Sequence, residues 1–246
     1  MTIYYVYDGS FNGLMSAVSE SLSKKTVPEN IIPEYYQREN LFGDYISITS
    51  DNSKSENLLD TVTRVMGDEA LSNILHCHLS DAQNSGIIIY RYISFGLKAG
   101  RKVNMHITDD SVKPALDLAC KVKKEQHRML GIVRFRLVEN GLYYAAIDPD
   151  HNITGIIAPH FSRRMADQNW IIHDTRRNLA VVYDKKKWRS VEIEINHNPE
   201  DSDMELFYSD LWRNYFKEIT ISERKNPKLQ KQFLPKRYWK NLTEIN

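Results

Sequence analysis

The sequence predicts an α+β protein with a mainly antiparallel sheet. The expectation is a hairpin–helix–hairpin core, a helical N-terminal part before it and an ordered helical tail after it. Three observations carry that expectation. Between residues 129 and 195, strand-like segments flank two turn signals, Glu139-Asn140-Gly141 and Arg176-Arg177-Asn178, with one helix between them. Before them, apolar residues recur at helical spacing from Leu58 to Val122. After them, Met204, Tyr208, Leu211, Tyr215 and Ile219 step by four and three along one helix face, broadened by Phe207, Trp212 and Phe216.

Taken in order, Ile3–Tyr7 is aromatic and β-branched and reads as a strand ended by Asp8-Gly9-Ser10. Phe11, Leu14, Met15, Val18 and Leu22 then mark a helix. A strand, a tight turn and a helix in that order can aim backbone N–H groups at an anion, although most such turns are structural. Lys24–Pro33 reads as a polar linker with two prolines, Ile46–Thr49 as a strand and Ser50–Ser55 as a turn. Leu58–Met66 and Glu69–Leu79 read as helices. Ser85–Gly100 reads as a mainly buried helix through Ile87, Ile89, Tyr92, Ile93 and Phe95. Asp109-Asp110-Ser111 caps a helix with Val112, Leu116, Ala119 and Val122 on its apolar face, and Pro114 fits its first turn.

The middle of the chain has a different texture. Met129–Val138 ends as a half-buried strand, with Val133, Phe135 and Leu137 inward and Arg134 and Arg136 outward. Asn140-Gly141 suits the positive φ of a type I′ hairpin turn, and Leu142–Ile147 is the returning strand. Asp148-Pro149-Asp150-His151-Asn152 is a loop and Ile153–Ala166 a helix. Trp170–His173 and Leu179–Tyr183 form a second hairpin. Lys185–Lys187 turns into a last strand, Trp188–Ile195. The β-β-α-β-β-β order suggests an antiparallel sheet with a helix on one face. The chain thus divides into 1–124 (strand plus helical region), 125–197 (the antiparallel module) and 203–246 (amphipathic helix and basic aromatic tail). The three parts are expected to form one compact unit.

Composition bounds the function. With 246 residues, 41% apolar and 26% charged, the chain suits a soluble globular protein with a real core. No apolar run approaches the roughly 20 residues of a membrane span. The N-terminus lacks a charged segment followed by an apolar one, so a cytoplasmic protein is expected. Cys77 and Cys120 match no CxxC pattern and are too few for a zinc knuckle or an iron–sulfur cluster, so no metal and no cofactor are expected. Walker A, Gly-x-Ser-x-Gly, His-Glu-x-x-His and deaminase motifs are absent from the sequence.

Two residue sets carry candidate chemistry. Four of the eight histidines, His127, His151, His160 and His173, fall in the middle module. His127, His160 and His173 with Asp174 are the catalytic candidates, since a carboxylate can orient an imidazole for acid–base work or for a metal. Neighbours on a strand point to opposite faces, so Asp174 need not support His173. The second set is cationic. Arg128, Arg134, Arg136, Arg163, Arg164, Arg176 and Arg177 lie in the module, and several on one surface would bind phosphate. Residues 222–246 add seven basic side chains against Glu223 and Glu244. A chain total of +1 and a tail of +5 leave −4 elsewhere, so any polyanion site is local. Phe233, Tyr238 and Trp239 stand among those charges. Cations that hold a backbone and rings that stack on bases suit nucleic acid, and a solvated tail with docked rings suits the composition equally. The nucleic-acid-binding candidates are Arg163, Arg164, Arg176, Arg224, Lys225, Lys228, Lys236, Arg237, Tyr238 and Trp239. Asn226-Pro227, Leu234-Pro235 and the apolar Leu229, Phe233 and Trp239 predict that the tail is ordered, with its cations outward.

Several segments, in order, resemble a bacterial family of unknown function described only as a DNA-metabolism protein. They are Tyr7-Asp8-Gly9-Ser10-Phe11, His127-Arg128-Met129-Leu130-Gly131 with Arg134-Phe135, and Pro149-Asp150-His151-Asn152. They continue with Ala158-Pro159-His160-Phe161, Trp170-Ile171-Ile172-His173-Asp174, Glu223-Arg224-Lys225-Asn226-Pro227 and Pro235-Lys236-Arg237-Tyr238-Trp239. The resemblance runs nearly the full chain. It implies an accessory role in DNA repair or modification beside a radical-SAM protein, or a uracil-DNA-glycosylase-like domain to which some members are fused. It transfers no catalytic residues, and this chain has no three-cysteine cluster motif. The alternatives are an enzyme with a His/Asp site, with or without a metal, and a protein-interaction subunit anchored by Phe207, Trp212 and Trp239.

Overall fold

The computed structural model describes residues 2–37, 43–138, 141–193, 202–219, 228 and 234–243, without the side chains of 2, 203, 207 and 214–219. Glu139 and Asn140 of the first hairpin turn, His197, and Arg224, Lys225, Leu229 and Phe233 of the tail lie outside the described residues, as do the side chains of Phe207, Tyr215, Phe216 and Ile219. The chain forms two compact units, Met1–Lys124 and Glu125–Asn246, and the division falls inside one helix.

In the first unit β1 (Thr2–Tyr7) is followed by α1 (Phe11–Lys24), β2 (Asn30–Pro33) and β3 (Gly43–Ser47). The strands form a sheet of order β2-β1-β3 in which both pairings are parallel. A parallel pair needs a crossover, and α1 supplies the one between β1 and β2. Ser10 caps α1 by accepting the Gly13 N–H at 2.9 Å. The expected linker Lys24–Pro33 therefore hides a strand. Ile31 and Ile32 are buried, and Pro33, which lacks an N–H, stands at the end of this edge strand. Two apolar residues between prolines are too short a signal to reveal it.

Helices α2 (Asn52–Met66), α3 (Asp68–His78), α4 (Ser85–Ala99) and the start of α5 (Lys113–Ile132) complete the unit. The expected turn at Ser50–Ser55 is the start of α2, whose cap Asp51 accepts the Lys54 N–H. Leu14, Met15, Val18, Val62, Ile74, Ile89, Tyr92 and Ile93 share one core. Gly86 admits a close approach: a Cβ there would lie 2.1 Å from the Ile31 carbonyl oxygen of β2.

The second unit holds the end of α5, β4 (Arg136–Val138), β5 (Leu142–Ile147), α6 (Thr154–Arg164), β6 (Asn169–Asp174), β7 (Leu179–Asp184), β8 (Trp188–Glu192) and α7 (Asp203–Ile219). A 3₁₀ turn follows at Lys236–Asn241. The sheet order is β4-β5-β6-β7-β8. Three of its pairings are antiparallel, but β5 and β6 run parallel because α6 carries the chain back between them. With the wholly parallel first sheet, this makes the protein mixed α/β rather than mainly antiparallel. The expected strand from Met129 also shrinks: α5 runs on to Ile132 around the buried Met129, leaving only Arg136–Val138 as strand.

Helix α6 covers one face of this sheet. Phe161 meets Phe135 edge-on, Phe135 meets Trp170, and Trp170 stacks on Tyr183 at 5.1 Å between ring centres. Asn178 takes the positive φ of the β6–β7 turn. Helix α7 meets β4 through its polar side. The Glu205 carboxylate accepts the Leu137 N–H at 2.7 Å, whereas Met204, Leu206 and Leu211 are more than half exposed. Of the tail, residues 234–243 bury Tyr238 and Leu242.

Replacing Gly86 with Ala drives a methyl group into the β2 backbone. It is expected to lower stability by about 1–3 kcal/mol in chemical denaturation. An unchanged midpoint would show that α4 and β2 do not need that approach.

Candidate functional site

The chemistry-bearing residues of the second unit gather at two places. The first is built on Glu125 of α5, a carboxylate only 3% exposed. Its Oε1 accepts the Asp150 N–H at 2.8 Å and its Oε2 the His151 N–H at 2.9 Å. Oε1 also accepts the Tyr238 hydroxyl in a short hydrogen bond. Arg237 reaches Asp150 Oδ2 at 2.5 Å and donates to the Tyr238 hydroxyl at 2.9 Å. From the other side Arg177 donates to the Pro149 carbonyl at 3.1 Å and the Asp150 carbonyl at 2.7 Å. Arg177 is itself paired at 2.8 Å with Asp174, which is fully buried and also accepts the N–H groups of Arg176 and Arg177. Lys240 bonds Asp148 at 2.7 Å. The loop 148–152 is thus held at four residues, Asp148, Pro149, Asp150 and His151. Burial, and donation to the Glu125 carboxylate, push the Tyr238 phenol up to about 12, so it remains a donor.

This network reassigns part of the catalytic candidate set. Asp174 orients Arg177 and the loop. It shares a sheet face with Trp170 and Ile172, the face under α6, while His173 points to the opposite face beside Ala146 and Ala180. His173 Nδ1 lies 2.7 Å from the Tyr144 hydroxyl, and its buried Nε2 has no hydrogen-bond partner among the described residues. Burial pushes this imidazole below its ordinary value, and Asp174 pulls weakly the other way. His160 is on α6, on the other side of the sheet from His173, with its ring edge-on to Phe161 and a buried Nε2 that has no partner among the described residues. His127 is exposed on α5. Among the described residues no three His, Cys, Asp or Glu side chains converge as a metal site.

The second place is a recess of about 290 Å³ lined by Arg134, Arg136, Arg213 and Lys240, with Glu205 the one carboxylate among its described lining residues. Arg136 lies over the Tyr144 ring at 5.2 Å, and Arg134 donates to the Gly131 carbonyl at 2.9 Å. Arg213 donates from Nε to the Ser209 carbonyl at 3.3 Å and lies 3.4 Å from Asp210. Asn241 and Thr243 add uncharged polar groups. The arrangement can receive an anion, since guanidinium forks match phosphate oxygens.

The recess unites two arginines read as outward-facing with a tail lysine. It adds Arg213, which sequence reasoning passed over. Arg213 lies on the polar stripe of α7 with Glu205 and Ser209, a four-residue spacing that could have flagged it. The predicted nucleic-acid set is not brought together there. Arg163, Arg164, Arg176, Lys228 and Lys236 are exposed elsewhere, and Arg237 is engaged by Asp150. Tyr238 is 3% exposed with its hydroxyl on Glu125, which leaves no ring face for a base. Trp239 is half-buried and donates from Nε1 to the Leu234 carbonyl at 2.9 Å. Arg224 and Lys225 lie outside the described residues.

Residues 83–244 match the profile of DUF4130, a domain of unknown function. No curated protein matches the chain.

Two outcomes follow from the Glu125 network and from His173. Glu125→Gln and Tyr238→Phe each leave a buried partner unsatisfied and are expected to cost about 1–3 kcal/mol in urea unfolding. A double-mutant cycle should return a coupling of about 0.5–3 kcal/mol, and simple additivity would refute the contact. His173 has a folded pKa below its unfolded value of about 6.5, so the unfolded chain takes up the proton first. The stability it contributes is complete above that pH and is lost as pH falls through it. The drop in urea midpoint between about pH 7.5 and about pH 5.5 should therefore be smaller in His173→Gln than in the parent protein.

Proposed function

Since the chain belongs to the DUF4130 family, whose function is unknown, we propose that it is a nucleic-acid-associated accessory protein in DNA repair or modification. It would act with a radical-SAM or uracil-DNA-glycosylase-like partner. The observation that supports nucleic-acid association is the convergence of Arg134, Arg136, Arg213 and Lys240 in one recess. The same unit also carries the exposed Arg163, Arg164, Arg176 and Lys236. Phosphate contacts of this kind supply sequence-independent affinity, and they suit a protein that leaves the chemistry to another. The DNA-metabolism part rests on the resemblance of the signature segments. Three of them, Pro149–Asn152, Trp170–Asp174 and Pro235–Trp239, contribute to the Glu125 network.

A protein-interaction subunit is the second reading, favoured by Met204, Leu206 and Leu211 exposed along α7. The two readings are compatible in an accessory protein. The alternative enzyme built on His127, His160, His173 and Asp174 draws no support from the geometry. The sheet separates His160 from His173, and Asp174 is engaged by the loop.

Fluorescence anisotropy with labelled duplex and single-stranded DNA tests the first reading. Affinity is expected to fall linearly in log–log form with salt, by about 0.9 in slope for each duplex phosphate neutralised. Lys236→Glu and Arg164→Glu should weaken binding and flatten that slope. Absence of binding to duplex, single strand and RNA at low salt would overturn the proposal.

A further inference from the structure

We infer, resting on the nucleic-acid reading above, that a single-stranded nucleic acid binds at the tip of the β7–β8 hairpin. Its phosphates lie on Lys185, Lys186, Lys187 and Arg189, and one of its bases stacks on Trp188.

Charge is the first ground. The tip carries those four cations against one carboxylate, Asp184, which leaves a local charge of +3 in a chain of +1. All four are exposed. Asp184 keeps its charge and attracts Lys187 and Arg189, but its Oδ1 is turned to the backbone, where it accepts the N–H of Lys186 at 3.0 Å and of Lys187 at 2.8 Å. The last turn of α6 brings Arg163 and Arg164, with Asp167 just beyond, to the same end of the sheet. There Ala166 accepts the Tyr183 hydroxyl at 3.3 Å, and Asn169 pairs with Asp184. These segments together present six cations and two carboxylates, and among the described residues none of the six cations is ion-paired. An excess of this kind attracts a polyanion.

The second ground is the ring. Tyr183 of β7 pairs with Trp188 across the hairpin and stacks on Trp170, so Trp188 stands at the open edge of the aromatic row that begins at Phe161. Trp170 is fully buried, whereas Trp188 is 38% exposed. Lysines on an edge strand guard a sheet against extension by another strand, but that purpose does not call for an exposed indole among them. A flat ring beside cations suits a base beside its phosphate. A single strand offers free base faces, which a duplex keeps inside its own stack. The turn is also set before a strand arrives: Lys185 holds a φ of 68°, and the Asp184 N–H donates to the Lys187 carbonyl at 3.3 Å. The backbone that presents the lysines and the indole therefore has little freedom to lose on binding.

Fluorescence anisotropy on the full chain compares four labelled probes: a thymine DNA strand, the same strand made abasic, a uridine RNA strand and a duplex of equal length. The thymine strand is expected to bind about fivefold or more tightly than its abasic counterpart. Trp188→Leu should erase that ratio. Lys186→Gln and Lys187→Gln should each flatten the single-strand salt slope by about 0.7 and leave the ratio in place. Whichever of the DNA and RNA strands binds more tightly is the source. Equal affinity for every probe overturns the inference while nucleic-acid association stands, and so does a base preference that survives Trp188→Leu. Binding of a polyglutamate peptide, with no binding of any strand, assigns the tip to an acidic protein partner and overturns both. No binding of any probe likewise overturns both. The abasic comparison uses the parent protein, so a variant that fails to fold does not decide the outcome.

Discussion

Glu125 places a full carboxylate where water barely reaches, and a buried charge is tolerated only when donors surround it. Here the donors are two backbone N–H groups of the 148–152 loop and the Tyr238 hydroxyl. Meeting the demand of one side chain therefore fixes a loop and seats the C-terminal turn in the same step. Arg237 and Arg177 extend the arrangement, one bridging tail to loop through Asp150, the other bridging loop to Asp174 at the end of β6. Remove the carboxylate and the second unit keeps its sheet but loses the reason for the tail to lie where it does.

The candidate site depends on that placement. Lys240 lies two residues beyond the anchored Tyr238 in the same 3₁₀ turn, and it lines the recess from there. Glu205 performs the parallel task for α7, accepting the Leu137 N–H of β4, while Arg213 lines the recess from the same helix. In both cases an acidic side chain engaged by backbone N–H groups sets the position of a neighbouring cation. The near-neutral net charge of the chain conceals this local asymmetry.

Much of the architecture was legible before any coordinates. The strand Leu142–Ile147 and the hairpin around Asn178 follow from strand period and turn residues. The long buried helix at Ser85–Ala99 follows from its isoleucines. The misses have identifiable causes. β2 carries only Ile31 and Ile32 between two prolines, too little for periodicity to register. Residues 129–132 satisfy helix and strand patterns alike, and the helix already under way prevailed. The parallel pairing of β5 with β6 was missed because a helix between two strands permits a crossover that a pattern of apolar residues does not orient. Around the site, the arginines of β4 were visible as outward-facing charges, but Arg213 was masked by the aromatic residues that dominate α7.

The sequence by itself determined which residues share a face, where the chain turns, and that any polyanion site must be local, because periodicity, turn chemistry and charge are properties of neighbouring residues. Only the tertiary structure decided what those faces meet. It set His173 and Asp174 on opposite sides of a sheet, turned the polar stripe of α7 toward β4, and buried Tyr238, a ring that composition alone offered to a base. It also joined Glu125 to Tyr238 across 113 positions of chain. The physical reason is range: hydrogen bonds and ion pairs act over a few ångströms in space, and separation along the chain carries no record of which distant groups will come that close.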